Sequence, residues 1–160
     1  MASSLPQAIL DLATFHPVEK IVLALMRDSA LNTAPVQINS LIADEQTWPL
    51  ILPRRGLDWG VWGGDSRFID TGTLTVQTFC EGLNADSDAA YLAEAVRVVL
   101  MQSLNKVTTF GYLTECDLLT AAHRVTDWAS ATGPVQFADL PSGVMRYETT
   151  YGLAIRAPRK

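Results

Sequence analysis

The stretch Val144–Arg156 restricts the possible folds of this chain more than any other segment. Met145, Tyr147, Thr149, Tyr151, Leu153 and Ile155 alternate with Val144, Arg146, Glu148, Thr150, Gly152, Ala154 and Arg156. A period of two places neighbouring side chains on opposite faces of a pleated strand, so this segment is predicted to be β. A second strand is predicted from Thr73 to Cys80. There Leu74, Val76, Thr78 and Cys80 share one face, and Thr73, Thr75, Gln77 and Phe79 the other, as a half-buried surface prefers. Trp48–Pro53 reads as a further strand. Pro49 and Pro53 cannot donate ladder hydrogen bonds, which predicts an edge or irregular strand.

Two helices accompany these strands. Val18, Ile21, Val22, Leu25 and Met26 fall on one helical face behind Pro17, which suits the first helical position. This helix is expected to fade near Asn32–Pro35. Asn84-Ala85-Asp86-Ser87-Asp88 opens the second helix with capping residues and carboxylates where the dipole favours them. Its buried face is predicted from Leu92, Val96, Val99, Leu100 and Ser103, with Glu94 and Arg97 pairing outside. Asp117–His123 fits helix or strand. Arg124–Trp128 favours strand, and Gly133-Pro134 and Leu140-Pro141-Ser142-Gly143 are turns. The order helix, strand, long loop, strand, helix, strand, strand predicts an α+β fold: a mainly antiparallel sheet with two helices packed on one face.

The chain has 160 residues, which suits a single domain over 1–160. Hydrophobic residues make up 48%, enough to exclude disorder for most of the chain. Charged residues make up 18%, below the usual ~25%, a hint that partners cover some surface. The net charge of −5 opposes tight binding to DNA or RNA phosphate. The N-terminus lacks the basic and apolar stretches of a secretion signal, and the longest apolar run, Ile21–Met26, is far short of a membrane span. A soluble protein kept inside a cell, or built into something there, is expected.

A search for chemistry yields no constellation. Phosphate loops, dinucleotide fingerprints and HExxH are absent from the sequence. Cys80 and Cys116 have no metal-ligand spacing and read as buried thiols. His16, ahead of the first helix, and His123 are far apart and lack ligand partners. A triad of Ser66, His123 and Asp127 fails because the nucleophile-elbow pattern breaks at Phe68. Asp86 and Asp88 suit a helix N-terminus better than acid–base work. No catalytic residue, metal or cofactor is expected.

The long loop between the first two strands stands out. Residues 54–70 hold four of the ten glycines, two of the four tryptophans, three arginines and three aspartates. A loop this long is usually functional or disordered, and Trp and Arg anchor protein interfaces. Trp59, Trp62 and Arg67 are expected partner contacts, with Arg54 and Arg55 pairing with carboxylates on a neighbour. The competing expectation is that the Trp rings fold back on their own sheet. Residues 157–160 form a short basic tail.

The arrangement resembles the tail terminator (tail completion) proteins of phages with long, non-contractile tails, of the lambda-type fold. Residues that carry the resemblance are His16-Pro17-Val18-Glu19-Lys20-Ile21-Val22, then Pro49-Leu50-Ile51-Leu52-Pro53-Arg54-Arg55-Gly56. Next come Leu74-Thr75-Val76-Gln77-Thr78-Phe79, Asp86-Ser87-Asp88-Ala89-Ala90 and the helix Ala93–Leu100. Arg146–Arg156 completes the pattern, which spans most of 16–157; the Gly/Trp-rich insert at 54–72 departs from it. The resemblance implies a ring, commonly a hexamer, that sits on the last ring of the tail tube, stops its polymerisation and offers a surface to the head connector. It implies a virion protein assembled in the host cytoplasm, with DNA passing the lumen without specific binding, no membrane and no cofactor. Arg156 joins the expected interface residues. The alternatives are another head–tail adaptor or minor tail protein, a small ligand-binding domain or enzyme, and a dimerisation module.

Overall fold

The computed structural model describes residues 3–60, 67–125 and 143–158. The elements are α1 (Gln7–Leu12), α2 (Val18–Arg27), β1 (Gln37–Ile38), β2 (Leu50–Arg55), β3 (Asp70–Glu81), α3 (Ala85–Gln102), β4 (Tyr112–Arg124) and β5 (Val144–Arg156). They form one five-stranded sheet in the order β1-β2-β3-β5-β4. β1 pairs parallel with β2, and every other pair is antiparallel. The fold is α+β, as expected. Helices α2 and α3 pack on one face of the sheet; the additional α1 buries no residue.

Local chemistry explains most elements. In α2, the stripe Val18, Ile21, Val22, Leu25 and Met26 is fully buried against Ile51, Leu74, Val76, Leu113 and Tyr151. Each such side chain is worth about 1.5–3 kcal/mol against exposure. Pro17 is the N-cap, one residue ahead of its expected place, and its carbonyl accepts from Lys20 N at 2.9 Å. In α3, the residues closest to the sheet are Ala85, Ala89, Ala93, Val96 and Leu100; Leu92 and Val99 flank them and Ser103 is buried just beyond. Alanines bring the helix near enough for Thr78 Oγ1 to donate to the Ala89 carbonyl at 3.0 Å. Asn84 is the N-cap but makes no side-chain capping bond; Asp86 and Asp88 occupy the first turn.

The prolines of β2 have a geometric answer. Gln37 N donates to Pro49 O and Asn39 N to Ile51 O, so odd-numbered residues turn their peptide groups away from β3. Pro53 is next in that series and lies past the end of β1, so its missing donor faces the open side. The following outward donor, Arg55 N, is taken by Glu19 Oε1 at 3.2 Å.

One open reading is resolved and one expectation changes. The ambiguous segment Asp117–His123 is strand, held by β5 in a register with three irregularities. Of the strand expected over Arg124–Trp128, Arg124 ends β4 and Val125 N donates to Arg146 O at 3.0 Å; 126–128 lie outside the described residues. The turns at Gly133-Pro134 and Leu140–Ser142 also lie outside them, as do Arg159 and Lys160 of the tail. Second, β3 is buried on both faces, where a half-buried strand was expected. Its helix-side residues are apolar or small. Its other face carries Thr75, Gln77 and Phe79, all under 7% exposed.

Candidate functional site

The loop after β2 is shorter than expected, because Arg54 and Arg55 belong to β2 and β3 begins at Asp70. Its first residues are fastened to β3. Gly56 N donates to Thr73 O and Gly60 N to Thr71 O, both at 2.7 Å. Asp58 Oδ1 accepts from Thr73 Oγ1 at 2.6 Å. Trp59 turns inward: its Nε1 donates to Asp70 Oδ2 at 2.7 Å and its ring packs on the helix-side core. Gly72 makes room for it, since a Cβ there would come within 2.6 Å of Trp59 Cα. Trp59 therefore follows the fold-back expectation. Trp62 lies outside the described residues. Arg67 is exposed, with its guanidinium 5.4 Å from the centre of the Phe68 ring.

Arg54 and Arg55 divide their roles. Arg55 Nε meets Glu19 Oε1, a carboxylate of its own chain, at 3.3 Å. The pair is partly exposed and is worth about 0–1 kcal/mol. Arg54 is half-buried, and its Nε and Nη2, like Glu19 Oε2, are shielded from water without a hydrogen-bond partner among the described residues. Burial pulls this guanidinium below its ordinary pKa, opposed by Glu19. Arg54, Arg55, Glu19 and Lys20 line a groove of about 450 Å³ with Ser40 and Leu41. Sequence reasoning singled out Arg54 and Arg55, but it did not find Glu19, which is 36 residues from Arg55 in the chain. Arg156 ends β5 with an exposed side chain, opposite Tyr112.

On the face of the sheet away from the helices, Gln77 Nε2 donates to Glu148 Oε2 at 3.1 Å, and Arg146 shares that face. Arg146 is 3% exposed and Glu148 2%. Burial lowers the Arg146 pKa, and Glu148 opposes that shift. The arrangement is a buried polar row, held by its own charges.

The remaining expected residues are spread apart. His16 meets the Phe110 ring edge-on at 5.4 Å. His123 is exposed near the end of β4, its Nδ1 3.1 Å from Ala121 O. Ser66 and Asp127 lie outside the described residues. Asp86 accepts from Tyr147 Oη at 3.2 Å and lies 3.7 Å from Arg124 Nη1. Arg97 Nε donates to Glu94 Oε2 at 2.8 Å. Cys80 and Cys116 are free and buried, and burial pushes both thiols up to about 11. Among the described residues, no group of His, Cys, Asp and Glu is placed to hold a metal. No described helix is long and apolar enough to cross a membrane. No protein-family model and no curated protein matches the chain.

Proposed function

We propose that this chain is a structural protein of a long-tailed phage that forms a ring, commonly of six subunits, at the head-proximal end of the tail. It caps the tail tube, ends its polymerisation and presents a surface to the head connector. The proposal rests on the resemblance in the order of elements, which the observed fold follows apart from the additional α1 and β1: helix, proline-bearing strand, strand, helix, then two long strands. The observation that carries it furthest is uncovered apolar surface on two peripheral segments. Leu5, Ile9 and Leu12 on the N-terminal arm are 54%, 50% and 79% exposed, and Leu57 and Phe68 in the loop are 98% and 61% exposed. Apolar side chains gathered on segments outside the core suit contacts between subunits or with a partner.

The test is native mass determination of the purified protein, alone and then with its cognate tail-tube protein. A mass of about six subunits in either state, with tube growth halted in the mixture, is expected. A monomer indifferent to tube protein would overturn the proposal. Binding to portal or adaptor proteins alone would reassign the chain to another place in the head–tail junction.

A further inference from the structure

We propose that the outer edge of β4 pairs with the same edge of a second copy of this chain, antiparallel and about a two-fold axis at Thr120. The contact joins copies in pairs and does not depend on the ring reading, in which subunits meet head to tail. β4 is a 13-residue strand at one edge of the sheet. Near its start the outer side is closed, because Asn105 N donates to Leu113 O at 2.8 Å. From Asp117 to Arg124 no described strand meets the outer side, and every side chain is exposed. Leu118 and Leu119 are among them, at 41% and 57%. An open edge is a template for another strand unless proline, lysine or a covering segment blocks it, and this stretch has neither proline nor lysine. The opposite edge of the sheet is blocked: β1 covers two residues, Pro53 has no donor, and Glu19 takes Arg55 N. That edge is a poor mate for β4. The open edge of a second β4 is a good one.

The register supplies the second argument. Val125 N donates to Arg146 O, so even-numbered residues of β5 turn their peptide groups toward β4. Asp117, Thr120 and His123 stand opposite Gly152, Thr150 and Glu148. All three therefore bond inward, and all three face the helix-free side. Toward an added strand they occupy non-hydrogen-bonded positions, where opposed Cα atoms are about 4.5 Å apart. Irregularities fall between Leu118 and Thr120 and between Thr120 and His123. On each side of Thr120, three steps along β4 thus match two along β5. The stretch is symmetric about Thr120 in length and in facing. A two-fold axis there sets Thr120 against Thr120 of the second copy and Asp117 against its His123. Each irregularity then lies against its counterpart with no slip. Asp117 has no cation partner among the described residues, and an acid opposite a base favours this register over those that oppose like groups. Leu118, opposite Tyr151, turns its N–H and C=O outward to meet Ala122 of the second copy.

The test uses the full chain carrying Thr120→Cys under mild oxidant. Residue 120 meets itself across the axis at a spacing a disulfide can bridge, whereas the native Cys80 and Cys116 are buried. A covalent dimer is expected to form at least tenfold faster than with Leu83→Cys, a fully exposed control site away from β4. Sedimentation of Leu118→Pro provides a second arm, since it removes an outward N–H and no bond to β5; self-association should weaken at least tenfold. A third arm leaves the backbone untouched: Asp117→Arg weakens association, and adding His123→Glu in the same chain restores it. Cross-linking no faster than the control, or association indifferent to Asp117→Arg, would overturn the pairing. Six-subunit assembly on tube protein without the residue-120 cross-link would overturn the pairing and leave the ring reading standing. Cross-linked pairs that never reach six subunits with tube protein would support the pairing and overturn the ring. A wild type that is monomeric alone and with tube protein would overturn both.

Discussion

Replacing Glu148 by alanine tests the energetics of the helix-free face most directly. Glu148 is 2% exposed, accepts from Gln77 Nε2 at 3.1 Å, and lies on the same face as Arg146, which is 3% exposed. Truncation removes the acceptor of a buried amide and a counter-charge of a buried guanidinium at once. Leaving a buried charge without its nearby counter-charge costs about 3–5 kcal/mol, because the remaining charge stays in a medium that solvates it poorly. Unfolding entropy near 60 °C is about 2.1 cal/mol/K per residue, or roughly 0.34 kcal/mol/K for this length. The melting temperature of Glu148→Ala is therefore expected to fall by about 9–15 °C. Differential scanning calorimetry at pH 7 and matched protein concentration measures it. Glu148→Gln keeps the shape and an acceptor oxygen, so its melting temperature should fall between the other two. A Glu148→Ala melting temperature within about 3 °C of wild type would refute the reasoning, since the polar row would then be hydrated rather than buried.

Gly72→Ala is expected to cost about 1–3 kcal/mol, because the new Cβ meets the Trp59 backbone and ring at 2.6 and 2.7 Å. Urea unfolding followed by Trp fluorescence reads it, and an unchanged midpoint would show that the loop yields freely. Cys80 and Cys116, with thiols pushed up to about 11 from 9.0 by burial, should resist a thiol-reactive disulfide reagent at pH 7.5 until the chain is unfolded. Because their folded pKa lies above the unfolded one, their contribution is complete below pH 9 and is lost as pH rises from 9 to 11. The urea midpoint should drop over that window, less steeply for a variant with both cysteines replaced by alanine; equal slopes would refute burial as the cause.

The sequence alone determined the elements whose signal is local. The apolar stripe of α2, the alternation of β5 and the helix-facing side of β3 follow from 3.6- and two-residue periods, which chain stereochemistry imposes on any sequence that buries one face. The charge pair Glu94–Arg97 was legible for the same reason, as neighbours one helical turn apart. Tertiary structure decided the rest. Asp117–His123 carries no clear period and became strand because β5 offers it a partner. The more polar face of β3 reads as half-wet from that strand alone, yet Gln77 is dry because Glu148, 71 residues away, meets it. Trp59 could have faced a partner; Asp70 and the space at Gly72 turned it inward. Arg54 and Arg55 are adjacent and chemically identical, yet the placement of Glu19 on α2 gives Arg55 a carboxylate while, among the described residues, Arg54 Nε and Nη2 have no acceptor. The physical reason is common to all four: periodicity is a property of neighbours in the chain, whereas desolvation and pairing depend on which distant residues arrive at the same place.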